Sequence, residues 1–322
     1  MNTMKQKLTI ALMIIMIGVV VVFMAKDLFK PKAQETNPFV YDLGEFKKAD
    51  STQICYSEIK RFNPVIEALK AIAIDQNDDL YVAGKHKVIV YDSLLQLKKE
   101  ISIDGESKNI CVSENGDIYL GMNNHIELWD KQGNKLKVWN PFNSKSVITS
   151  IAVKNGWVFI ADAGNKLVLK YNTKGELQQE IGRKDTLKGI KGFVIPSPYF
   201  DVAIGRQGEI WAVNSGLHQF EAYNEQGEQF SSWKRTSMHW YGFSGCCNPS
   251  HIAVLSDGSF VTSEKGLVRI KIHEPTGDFK CVVAAPNEFN ENTRGIDLAV
   301  DSKDRIYAII PEMNEVRIYD KK

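Results

Sequence analysis

The 322-residue sequence predicts an all-β fold: a six-bladed β-propeller of four-stranded antiparallel blades, closed by an N-terminal strand and preceded by one N-terminal transmembrane helix. Three observations predict it. One strand-turn-strand pattern recurs six times, the last repeat stops a strand short, and residues 8–25 carry no charge.

The charge-free run "LTIALMIIMIGVVVVFMA" is eighteen residues long. At about 1.5 Å per residue it nearly crosses a hydrocarbon core of about 30 Å. A cleaved leader would be shorter and end on small residues, but Phe23 stands close before Ala25 and no cysteine follows for lipid attachment. An uncleaved anchor is therefore expected. Lys5 and Lys7 before it are matched by Lys26, Lys30 and Lys32 after it, so the positive-inside rule barely discriminates. A minimal basic head ahead of a large folded domain favours export of that domain. Residues 1–7 read as a short cytoplasmic head, 8–25 as the anchor, 26–50 with Pro31 and Pro38 as a tether, and 51–322 as the propeller, periplasmic or extracellular.

The repeats read "AIAIDQNDDLYVAG" (71–84), "NICVSENGDIYLGM" (109–122), "SIAVKNGWVFIAD" (150–162), "DVAIGRQGEIWAVN" (201–214), "HIAVLSDGSFVTSE" (251–264) and "DLAVDSKDRIYAII" (297–310). Their aligned apolar residues Ile74, Val112, Val153, Ile204, Val254 and Val300 lie 38 to 51 apart, near the period of propeller blades. A third strand follows each pair, as in "VIVYD" (88–92) and "IELWD" (126–130), and most units add a fourth, as in "KLKVW" (135–139). Period-two alternation makes these half-buried antiparallel strands. The sixth unit ends two residues before the terminus, leaving its outer edge unpaired, which proteins avoid. The alternating segment "STQICYSEIKRF" (51–62) is the expected donor.

These repeats resemble the NHL family of six-bladed propellers, over about residues 51–320, and "SIAVKNGWVFIADAGNKLVLKYNTKG" (150–175) carries the resemblance most clearly. It implies a fold rather than a chemistry, because one scaffold hosts sensors, adaptors, lyases and lactone hydrolases. The chain is also similar to membrane-anchored bacterial NHL-repeat proteins around "GCCNP" and "TSEKG", which implies a shared constellation of Cys246, Cys247, Asn248, Pro249, Ser263, Glu264, Lys265 and Gly266.

In a propeller, links between blades and turns between second and third strands emerge on one face. That places "GCCNPSH" (245–251) beside "SEKG" (263–266), with Arg294 on the same face. Three readings of Cys246-Cys247 stand open: a vicinal disulfide, which is strained because neighbouring Cα atoms sit about 3.8 Å apart; separate fates for the two thiols; and chelation of one metal. Glu264 beside Lys265 offers an acid–base pair. Long links at 182–199 and 234–249 carry aromatics, Trp240 and Tyr241 among them, suited to partner or ligand contact.

The resulting candidate ligand- or partner-binding set is Cys246, Cys247, Asn248, His251, Ser263, Glu264, Lys265, Arg294, Trp240 and Tyr241. Five of six histidines fall on the same face, and His86, His125, His218 and His251 are candidate ligands should a divalent metal bind; no cofactor is otherwise expected. Charge is balanced, 40 Lys+Arg against 39 Asp+Glu, which disfavours nucleic acid. The expectation is an anchored extracytoplasmic propeller that binds a protein partner or small ligand on this face; the alternative is a metal-assisted lyase or hydrolase.

Overall fold

The computed structural model describes residues 2–29, 43–187 and 189–322. The chain divides into two units, Met1–Leu43 and Gly44–Lys322. Most of the expected tether, residues 30–42, lies outside the described residues.

The first unit holds one 28-residue α-helix, Asn2–Phe29. The expected membrane span within it is not supported: among the described residues, no helix is long and apolar enough to cross a membrane. Length is the physical reason: the charge-free run 8–25 gives about 27 Å of helix, short of a hydrocarbon core of about 30 Å.

The second unit is an all-β ring of six antiparallel sheets. Blades two to five each have four strands in chain order, beginning with Asn109–Val112, Ile148–Lys154, Val202–Ile204 and His251–Val254. Blade one uses three continuous strands, Glu67–Ile74, Leu80–Tyr91 and Leu97–Glu106. Its long middle strand does double duty: Leu80–Ala83 pairs inward with Ala71–Ile74, and Val88–Tyr91 pairs outward with Leu97–Ile101. His86, in the left-handed region at φ 64°, marks the change between the two.

Blade six runs from Leu298–Val300 through Ile306–Ile310 and Glu315–Lys321 to the N-terminal strand Tyr56–Phe62. The register is antiparallel, Tyr56 opposite Lys321 and Phe62 opposite Val316. The expected ring closure holds, with a strand shorter than 51–62: Ser51–Gln53 is a 3-10 turn capped by Asp50, and Ile54 bridges Val282 of blade five. Cys55 beside it forms a disulfide with Cys281, with Cα atoms 5.9 Å apart.

Inner strands of successive blades pack side by side, and those of blades one and six meet to complete the circle. Alternation explains the glue, since one face of each blade packs on the next. Leu80, Val82 and Ile89 of blade one meet Tyr307, Ile309 and Val316 of blade six, all at most 2 % exposed. Burying each such side chain stabilises by about 1.5–3 kcal/mol. A rigid ring of this kind fixes the loops at its mouths.

Candidate functional site

The link into blade five is pinned along its length. Phe243 is fully buried among Phe220, Trp233 and Phe260, which anchors the link in the core between blades four and five. Its carbonyls point down at blade five: Arg269 donates to Met238 O (2.9 Å), His239 O (3.3 Å) and Gly242 O (3.0 Å), and Lys271 donates to Trp240 O (2.9 Å) and to Gly242 O. Further along, His218 Nε2 lies 2.6 Å from Gly245 O.

Asn248 then joins the two predicted stretches. Its Nδ2 donates to Ser244 O (2.7 Å) and Lys265 O (3.0 Å), while its Oδ1 accepts from Lys265 N (3.0 Å). A buried amide satisfied on both sides is a strong positional constraint. "GCCNP" and "SEKG" therefore meet at one mouth of the ring, as the blade topology requires.

Within that mouth the expected residues divide. Cys247 is buried and Cys246 exposed, and both thiols are free, so the separate-fates reading describes them. Ser263 is buried and donates to Ile296 O (2.6 Å), tying blade five to blade six. Glu264 is fully buried, and Arg269 and Lys271, rather than Lys265, are its partners: Arg269 Nε at 2.6 Å and Lys271 Nζ at 3.0 Å, both on Oε1. Burial, reinforced by the Arg269 charge, pushes Lys271 down to about 7 against the pull of Glu264. This trio holds the link in place and faces away from solvent.

Lys265 remains available. Its Nζ lies 4.4 Å from the Tyr199 ring centroid and 3.4 Å from Ser197 Oγ, with no carboxylate partner among the described residues. Tyr199 is half-buried, and its ring also meets that of His251, 6.3 Å away at 82°. Arg294 is exposed and acts on the Tyr199 hydroxyl; its backbone N–H donates to Glu312. Tyr241 is exposed and stacks on His239, whereas Trp240 is half-buried against Arg269. Phe193 of the earlier long link is core, at 6 % exposure, so it cannot serve partner contact.

His251 stands at the first position of the fifth inner strand. Its Nδ1 lies 3.5 Å from Asp201 Oδ2 and 3.5 Å from Asp297 Oδ1. Asp201 accepts the N–H groups of Val202 and Ile252, and Asp297 accepts those of Leu298 and Ile72, so both carboxylates also stitch neighbouring blades. Burial alone would lower the His251 pKa, but the Asp201 hydrogen bond and the two negative charges outweigh it and leave it raised. Burial drives Asp297 up to about 6, opposed by His251 and assisted by Asp201.

Sequence reasoning passed over Asp201 and Asp297, although the repeats contain the signal. Three places before the aligned apolar residue, the six blades carry Ala71, Asn109, Ser150, Asp201, His251 and Asp297. Reading down that column groups the imidazole with its two carboxylates on consecutive blades.

The four candidate metal histidines are not brought together. His125 contacts Asn124 (3.0 Å), His218 contacts Thr236 (3.1 Å) and Gly245, and His86 sits at the bend of blade one. Among the described residues, no group of three or more His, Cys, Asp or Glu side chains is arranged to hold a metal ion.

No protein-family model matches the chain, and no curated protein matches it in sequence. Solved structures match in shape. A streptogramin B lyase superimposes with a TM-score of 0.61 at 14 % identity, over 85 % of this chain and all of that one. Virginiamycin B lyase from Staphylococcus aureus gives 0.60 at 13 %, over 83 % of this chain and all of that one. A protein of unknown function from Bacteroides thetaiotaomicron gives 0.58 at 12 %, over 83 % and 76 %. The likeness establishes the fold. At these identities it carries no activity, and the resemblance to NHL repeats rests on the blade pattern alone.

Proposed function

We propose that this protein is a membrane-attached, extracytoplasmic propeller that binds a small ligand or protein partner at the mouth formed by residues 244–251, 263–266 and 197–199. The observation that carries the reading is the double clamp of Asn248 on Lys265 and Ser244, which brings Lys265, Tyr199 and His251 around one opening. The charge-free run 8–25 supports attachment through the N-terminal helix. The Cys55–Cys281 disulfide supports an oxidising compartment, since such bonds are rare in the cytosol.

A panel of metabolites and peptides screened by thermal shift against the wild type and Asn248→Ala tests the reading. Ligand-induced stabilisation confined to the wild type supports it; identical profiles in both proteins contradict it.

A second reading is favoured by His251: an imidazole between one buried and one half-buried carboxylate, with solved lyases sharing the fold, suits acid–base chemistry in a lyase or hydrolase. Perturbed titrating groups cluster at catalytic sites. Turnover of ester- or lactone-containing substrates that is abolished in His251→Ala and unaffected in His86→Ala supports this route. Equal activity in both variants removes it.

A further inference from the structure

Around Tyr199, several polar ends lack a protein partner. Lys265 Nζ has only the ring face and a 3.4 Å contact to Ser197 Oγ. Among the described residues no partner contacts the Tyr199 hydroxyl, the Arg294 guanidinium or His251 Nε2, and neither the hydroxyl nor Nε2 is a fully enclosed orphan. The groups therefore open to solvent at one place, with Tyr199 as the shared neighbour. Two of the four, Lys265 and Arg294, are cations, and His251 is held by its other nitrogen.

Resting on the ligand-binding reading above, we infer that this mouth binds a small organic anion. Its carboxylate is held by Lys265 and Arg294, its body lies along Tyr199, and His251 Nε2 bonds a second polar group. The chemistry follows from the donors: cationic and N–H groups recognise carboxylates through charge-assisted hydrogen bonds. Glu312, whose charge reaches the Tyr199 hydroxyl, is engaged by the Arg294 backbone N–H, and Asp201 and Asp297 each accept two backbone N–H groups and face His251 Nδ1, which tempers their repulsion of the anion. Those carboxylates position the imidazole, while Lys265, Arg294 and Tyr199 form the contact surface.

The test is calorimetric titration of the full-length protein with succinate, with succinamide as its uncharged counterpart and sulfate as an inorganic anion. Saturable succinate binding is expected, with no binding of succinamide. The double variant Lys265→Met, Arg294→Gln should weaken it by about tenfold or more. Both residues are solvent-accessible, so the variant retains its fold, checked by its unfolding temperature. Failure of succinate to bind, or equal binding to the variant, overturns the inference, and sulfate binding with the same residue dependence and no preference for succinate reduces the site to a general anion site and overturns the organic part. An NMR screen with neutral and cationic fragments separates the two levels: fragments that shift the Tyr199 and His251 signals while succinate does not leave the ligand-binding reading standing, and a screen in which nothing shifts them overturns both.

Discussion

At the scale of single residues, His251 carries the sharpest electrostatic consequence. Its pKa is raised, so its pairing contributes stability that is fully present below the unfolded value near 6.5 and is lost as pH rises through the folded value. Histidine NMR should show His251 titrating above 6.5 in the wild type and falling in Asp201→Asn, where burial is left with less opposition. An unchanged titration contradicts the Asp201 pairing. Glu264 sets a second test. Replacing it by Gln leaves Arg269 and Lys271 buried with uncompensated charge, at a cost of about 3–5 kcal/mol in denaturant unfolding, whereas Lys271→Met removes a charge that burial already disfavours and should be tolerated far better. Equal losses in the two variants refute this account of the trio.

Elements were the most legible level in the sequence. Alternation and turn chemistry mark the inner and second strands of every repeat, and the missing sixth outer strand points to its donor because an open edge is unfavourable. The disulfide was not legible. Cys55 and Cys281 are 226 positions apart, and the parallel bridge of Ile54 to Val282, with Cys55 N–H donating to Val282 O, sets their sulfurs together. Glu264 departs from the expected pairing with Lys265 for a related reason: its neighbour across the strand pair is Arg269, so its side chain turns into the blade while Lys265, one residue later, turns out. A sequence adjacency says nothing about which face receives each side chain. Loss of the disulfide in Cys55→Ser, Cys281→Ser frees the leading end of the closing strand and should cost about 2–5 kcal/mol. Alkylation of the denatured, unreduced protein should label three cysteines, Cys111, Cys246 and Cys247, and reduction should raise this to five. A single label before reduction would mean that Cys246 and Cys247 are bonded to each other after all.

At the scale of the whole molecule, six wedges convert separated peptides into one mouth. The ring predicts the convergence; it does not predict the occupant, because the fold is shared with lyases and with a protein of unknown function alike. The proposed membrane attachment belongs to this scale too. Full-length protein should sediment with membranes, while a chain beginning at Gly44 should remain in the supernatant; equal partitioning of both contradicts attachment through the helix. The central claim is that residues 244–248 and 263–266 form a single unit pinned by Asn248, and hydrogen exchange tests it most directly. In Asn248→Ala, exchange should rise together at the Lys265 amide and across residues 244–247, with blades one to three unchanged. Unaltered protection at Lys265, or a uniform rise around the whole ring, would contradict the account.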